Sequence, residues 1–349
     1  MQPERLEFLT RLLDAPGPSG FEARAARIWL EEAARYAQTS TDHYGNAYAT
    51  INPGAPLRVL LAGHIDEIGV MVTHIDADGF VFFAALGGWD ARVLIGQRVR
   101  LLAQDGDLFG VIGIKAPHLT PAEERGKSVN LDDLWIDLGL DVDTIKAAVR
   151  VGDVAVIEQP TLQLGSKLIS KALDNRVGAF VVLEAVRVLR ERGCTHAVTA
   201  LASAQEEIGA YGARLAAYSL EPHVSVAVDV THETRQPGVN IKKTGEVPFG
   251  SGANLSISAL TNPRINRALM DVARRHEIKF SVSAEPRRTG TDADEIVLTR
   301  SGVPSAVMSV PLRYMHSPVE MVDLDDVQAV IDLIVAYVME LTPDTQFTR

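Results

Sequence analysis

One cysteine, Cys194, occurs in 349 residues. That count excludes an intramolecular disulfide framework and a cysteine-built zinc site, and Cys194 reads as a small hydrophobe ahead of a strand. An excess of cations is missing too: 34 Lys and Arg face 45 Asp and Glu, a formal net charge of -11. A nucleic-acid binder needs a basic surface to displace phosphate counterions, so the balance argues against that class. No apolar run approaches the roughly 20 residues that cross a bilayer. The opening segment carries Glu4, Arg5 and Arg11 inside its apolar pattern, not the charged-then-apolar order of a signal peptide. The expectation is a cytoplasmic protein with no nucleic-acid or membrane partner. A Gly-rich phosphate loop, a repeat at solenoid periods and low-complexity tracts are also absent.

What the chain does have is apolar content, 46% of residues, enough for a large core and too much for disorder. Residues 4–14 and 21–37 read as amphipathic helices split by Pro16-Gly17-Pro18-Ser19-Gly20. Residues 46–51 and 57–63 read as strands, the second a buried run. From residue 68 to about 163 the texture changes to short strands at 69–74, 80–84, 98–102, 108–114, 134–137 and 153–158, with turn chemistry between them and one helix at 142–149. After Leu164 helices (175–191, 210–219, 263–276, 323–341) alternate with strands (196–202, 224–228, 303–310). That alternation predicts an α/β fold with a mostly parallel central sheet and helices on both faces. The middle block predicts a small inserted β-rich domain. The boundaries are 1–67 and 164–349 for the α/β domain and 68–163 for the insert.

Five short stretches place polar residues where an α/β sheet puts its active site, at strand ends. His64 ends the run Leu60-Leu61-Ala62-Gly63, and Asp66, two residues on, projects from the same side. A carboxylate so placed can hold one imidazole nitrogen and leave the other for a metal. Asp174 precedes a helix, where N-capping is the plain alternative. Glu206 and Glu207 follow an apolar strand, Asp229 ends another, and His316 lies just beyond a fourth. An acidic cluster of that size repels itself unless cations occupy it. Two histidines with carboxylates suit zinc, cobalt or manganese, whereas calcium takes an all-oxygen cage. Two metals need a bridging carboxylate, and a glutamate left off the metals can serve as general base.

The order His-x-Asp, Leu-Asp-Asn-Arg, Glu-Glu-x-Gly, Val-Asp and a C-terminal His-Ser resembles the glutamyl and deblocking aminopeptidases, the group that includes the tetrahedral aminopeptidases. The resemblance covers nearly the whole chain, including Pro117, His118, Leu119 and Thr120 in the insert. It implies two divalent metal ions per subunit, bridged by Asp174, whose peptide bond to Asn175 is cis in relatives. His64 and Asp229 would complete one metal, Glu207 and His316 the other. Asp66 would orient His64, and Glu206 would be the base that activates a metal-bridging water and then protonates the leaving amine. The implied reaction is removal of the N-terminal residue from short peptides. The implied assembly is a homo-oligomer, a dimer through the insert and a tetrahedral dodecamer.

Around that centre the residues leave alternatives. Thr291 and Asp292, in Thr289-Gly290-Thr291-Asp292-Ala293, are candidate substrate-binding residues, against a turn and N-cap for the next helix. Arg287 and Arg288 would favour an acidic first side chain if they faced the pocket, against a solvated pair. His232 reads as a support for nearby Asp229. Hydrolysis of acylated peptides and a non-catalytic, metal-stabilised assembly protein are the rival functions.

Overall fold

Alternate residues of the buried strand Arg58–His64 point to opposite faces, and each face meets its own layer of helices. Val59 and Leu61 pack into a core with Leu9, Trp29, Phe180 and Ile334. Leu60 and Ala62 pack on the other side with Ala213, Ala216 and Ile296. The computed structural model describes residues 1–119 and 128–349, so Thr120 of the insert lies outside the described residues.

The α/β body opens with α1 (Pro3–Asp14), α2 (Ala23–Ala33), β1 (Gln38–Thr41), β2 (Ala47–Ile51) and β3 (Arg58–His64). The chain then leaves it for β4 (Gly69–Ile75), β5 (Val81–Leu86), α3 (Ala91–Leu94), β6 (Arg98–Ala103), β7 (Gly106–Ile114), β8 (Leu134–Asp137), α4 (Val142–Ala148) and β9 (Val154–Ile157). It returns as β10 (Leu162–Leu164), β11 (Lys167–Ser170), α5 (Leu173–Glu191), β12 (Ala197–Ser203), α6 (Tyr211–Leu220) and β13 (Val224–His232). The last part is α7 (Ile241–Thr244), β14 (Ala253–Ser258), α8 (Pro263–Arg275), β15 (Phe280–Glu285), α9 (Ala293–Ile296), β16 (Ser305–Arg313), β17 (Glu320–Asp323) and α10 (Leu324–Glu340).

The large sheet runs β1-β2-β12-β3-β13-β16-β17-β11-β10, with β14 joined to β16 and β15 beyond it. The parallel order expected from the alternation of strands and helices holds at the centre, in β12, β3, β13 and β16. The flanks are antiparallel, at β2–β12, β16–β17 and β17–β11. Neighbours such as β10 and β11 are joined by a tight hairpin and need no crossover helix. The parallel centre aligns the ends of β3, β12 and β13 on one edge.

Strands β4 to β9 close into a barrel in the order β4-β5-β8-β7-β6-β9. Val70, Val72, Val81, Phe83, Val99, Leu101, Ile112 and Ile136 fill it, the inward half of each alternating strand. Closure leaves no unpaired edge, which lets so small a unit stand beside the body.

Two devices hold the strand edge in place. Gly63 at the end of β3 lies against Gly178 of α5; a Cβ there would stand 2.5 Å from the Gly178 carbonyl carbon. Only a glycine lets the start of α5 approach that closely. Arg176, fully buried, donates to the main-chain oxygens of Leu12 and Leu13 (3.0 and 3.2 Å), Ala15 and Ile65. It thereby satisfies carbonyls at the C-terminus of α1, where a cation also suits the helix dipole.

Candidate metal centre

His64 Nδ1 lies 3.2 Å from both a carboxylate oxygen and the main-chain oxygen of Asp66. Both are acceptors, so Nδ1 carries the proton and Nε2 is left facing the cluster. Asp66 is fully buried and does more than this. It accepts from Ser19 Oγ at 2.5 Å and from the main-chain N–H groups of Glu206 and Glu207 at 3.1 and 3.2 Å. One carboxylate thus ties the β3 end to the loop after β12.

Asp174 sits in the first turn of α5 with non-helical angles, and its peptide bond to Asn175 is cis. It caps nothing. Its Oδ1 lies 3.2 Å from His64 Nε2 and its Oδ2 3.4 Å from His316 Nε2, so its two oxygens face two different imidazoles. His316 Nε2 is also 3.5 Å from Glu207 Oε2, and His64 Nε2 is 3.7 Å from Glu206 Oε2. His64, Asp174 and Glu207 offer ligand atoms that all lie within 4.8 Å of one another. Asp229 lines the same cavity from within β13, which does not end there as the sequence suggested but continues to His232, because Val230 to His232 stay paired with β16. The structure therefore brings together all six residues that the sequence singled out for metal binding and base catalysis. Several backbones that deliver them are left-handed without being glycine: Ala172, Gln205, Tyr314 and His316 have φ of 57°, 58°, 62° and 57°. Such conformations persist where the surrounding structure fixes them, and they cluster at functional sites.

The electrostatics of the cluster follow from burial and from its neighbouring charges. Burial, with the charges of Asp229, Asp292 and Asp66, pushes the Glu206 carboxyl up to about 9 despite the pull of His64. Burial and then Asp174 raise Glu207 well above the carboxylate range, and burial raises Asp229 likewise. Asp174 goes the other way: burial opposes ionisation, but hydrogen bonds from His316 and His64 hold it below its ordinary value. Glu207 Oε1 is buried and has no hydrogen-bond partner among the described residues. An orphaned buried carboxylate oxygen beside two imidazoles is the donor set of a divalent cation, and these residues fit one.

The cluster floors a cavity of about 340 Å³. Thr291 is on its wall, whereas Asp292 is not; that carboxylate is buried behind the wall as acceptor for Ser203 Oγ. Burial raises Asp292 to about 6. The turn is held instead by Asp294, which accepts from the N–H groups of Thr289 and Gly290 at 2.8 and 2.9 Å. His232 lines the cavity, exposed, and no hydrogen bond joins it to Asp229 among the described residues. Arg287 is exposed, and Arg288 is engaged with Asp294 and Glu295, so neither faces the cavity.

Three participants were not anticipated. Glu320, buried at the start of β17, accepts from Asp174 N at 3.0 Å and His316 N at 2.9 Å. Gly88, in the loop after β5, makes a main-chain hydrogen bond to His316, and a Cβ there would lie 2.8 Å from Nδ1. The barrel thus touches the centre. Glu67 accepts from Lys171 Nζ at 2.7 Å and Arg176 at 3.0 Å, a fully buried triad beneath the site. A charge opening the four-residue strand Glu320-Met321-Val322-Asp323 was the one signal available for Glu320.

The model of the M42 glutamyl aminopeptidase family matches residues 45–333. The chain is 34% identical to the lysyl aminopeptidase of Pyrococcus furiosus over 97% of each sequence. Among solved structures it resembles the TET aminopeptidase of the marine sediment archaeon Thaumarchaeota archaeon SCGC AB-539-E09, at TM-score 0.92 and 33% identity, covering 97% of this chain and 96% of that one. It also resembles the TET1 peptidase of Pyrococcus horikoshii, which can assemble into a tetrahedron or a large octahedral shell, at TM-score 0.86 and 29% identity over 97% and 100% of the chains.

Proposed function

The chain belongs to the M42 glutamyl aminopeptidase family, and on that premise we propose that the cavity is a two-metal centre which removes N-terminal residues from short peptides. The observation that carries the reading is Asp174, whose two oxygens face His64 on one side and His316 on the other. Zinc, cobalt or manganese suits the mixed imidazole and carboxylate donors. His64 and Asp229 would hold one ion and Glu207 and His316 the other, with the carboxylate of Asp174 shared between them. Once bound, divalent cations offset the carboxylate charge, polarise the scissile carbonyl and acidify a water.

The chain's own residues do the rest. Glu206 takes a proton from the attacking water and delivers it to the departing amine, as base and then acid. Asp66 keeps His64 Nδ1 protonated and anchors the main chain of Glu206, so it sets the position of the base. Glu320 fixes the main chain of Asp174 and His316. The wall residues Thr289 to Thr291 and Met315 bound the space for the first side chain.

The family premise and the exposed apolar side chains Phe109, Val111, Leu119 and Val151 on the insert support a homo-oligomer built partly through the barrel. A tetrahedral dodecamer is the assembly we propose. No helix among the described residues is long and apolar enough to cross a membrane.

Metal removal tests the reading. Treatment with a chelator should abolish release of the first residue from an unblocked peptide, and zinc or cobalt should restore it. The N-acetylated form of the same peptide should resist throughout. Full hydrolysis at zero bound metal contradicts the proposal.

A further inference from the structure

Beyond the proposed ligands and Glu206, the cavity wall is largely uncharged: valine, threonine, glycine and methionine face it, with His232 exposed at the rim. One carboxylate interrupts this wall, Glu285 at the end of β15. The pairing of β15 with β14 sets its direction, with Glu285 opposite Ser258. Two residues earlier, Ser283 points inward, buried, with its hydroxyl donating to Asn254 at 2.8 Å. Alternation puts Glu285 on that same inward side, and the half-buried side chain reaches the cavity. Ser258 Oγ donates to the Arg287 main-chain oxygen at 2.9 Å, which holds the turn just beyond it.

No hydrogen bond or ion pair engages the Glu285 carboxylate among the described residues. The two cations nearest in sequence are not available to it as wall groups: Arg288 pairs with Asp294 and Glu295, and Arg287 is exposed outside the cavity. Among the described residues no lysine or arginine lines the cavity. A carboxylate in a partly dry pocket without a protein cation is complementary to a cationic ligand group, and it penalises an anionic one. The volume, about 340 Å³, is at the small end of ligand pockets and suits one long side chain, not a folded chain.

We infer that Glu285 sets the specificity of this enzyme, selecting peptides whose first residue is lysine or arginine by pairing with the ammonium or guanidinium. The inference rests on the aminopeptidase reading for the identity of the substrate, and it reverses the acidic preference that Arg287 and Arg288 would have conferred. Selection by Glu285 is a matter of charge and reach, so a neutral side chain of equal length is the fair comparison.

The test compares metal-loaded wild type with Glu285→Gln and Glu285→Lys on the anilides of lysine, norleucine and glutamate. The wild type should favour lysine over norleucine in kcat/KM by at least about tenfold, the scale of one hydrogen bond to a charged group. Glu285→Gln should lower that ratio by about the same factor, and Glu285→Lys should shift preference towards glutamate. An unchanged lysine-to-norleucine ratio in Glu285→Gln overturns the inference. Calorimetric binding of free L-lysine and L-norleucine separates this outcome from failure of the aminopeptidase reading. If no anilide is cleaved but lysine binds the wild type more tightly than norleucine, and Glu285→Gln removes the difference, the subsite stands while the reaction does not. Equal binding of the two amino acids by the wild type overturns the subsite.

Discussion

Both carboxylate oxygens of Glu320 accept main-chain N–H groups, one from Asp174 and one from His316. Burial raises its carboxyl well above the ordinary range, with the neighbouring Asp174 charge adding to it. A buried group under that penalty is held by what it positions, here the bridging residue and a histidine ligand. Glu320→Ala leaves two N–H groups without acceptors. We expect kcat/KM for an unblocked peptide, or metal affinity, to fall about 10- to 100-fold, with Glu320→Gln partly rescuing through its amide oxygen; kinetics alongside metal analysis would check both. At this scale the residues at the heart of the site were readable. His64, Asp229 and the Glu206–Glu207 pair each follow a buried apolar run, where a polar side chain demands a reason. Glu320 and Gly88 escaped because they act on main-chain groups and a ring contributed by other segments. Spacing within their own stretches carries no trace of those partners.

The contact between β3 and α5 decides whether Asp174 reaches His64. Gly63→Ala would place a Cβ 2.5 Å from the Gly178 carbonyl carbon, so the start of α5 must shift. Overpacking of this kind costs roughly 1–3 kcal/mol, to be read from urea unfolding. Gly54→Ala is the control, since a Cβ there meets nothing within 4 Å. The elements with strong periodicity, such as α5, α8, α10 and the buried strands β3, β12 and β16, were legible to within a few residues. Most of the missed ones lacked a pattern to read; β15, which alternates as Phe280-Ser281-Val282-Ser283-Ala284-Glu285, did not. β1 is QTST and β10 is LQL, each exposed along its whole length. β17 is only four residues long, and β14 alternates buried serine and asparagine with its apolar positions. Their strand character comes from pairing with distant partners, so local sequence did not reveal it. The antiparallel flanks of the sheet were hidden for the same reason.

At the scale of the whole molecule, acidity that first served only to exclude nucleic acid acquires a local explanation. Asp174, Glu206, Glu207 and Asp229 belong to one cavity, and its charge calls for cations. The barrel contributes twice, through Gly88 at the site and through exposed apolar side chains available to a second subunit. Light scattering on the purified protein should give the mass of about twelve chains, as in the dodecamer of the TET1 relative; the mass of a single chain would contradict the assembly we propose. The central claim is narrower than the assembly: carboxylates and imidazoles in this cavity hold metal so that Glu206 can move a proton. Turnover of an unblocked peptide by Glu206→Gln, measured together with bound metal, tests it most directly. We predict a loss of about 10²- to 10⁴-fold in kcat, the usual contribution of a positioned general base, with metal content equal to that of the wild type. Wild-type turnover in that variant would contradict the account.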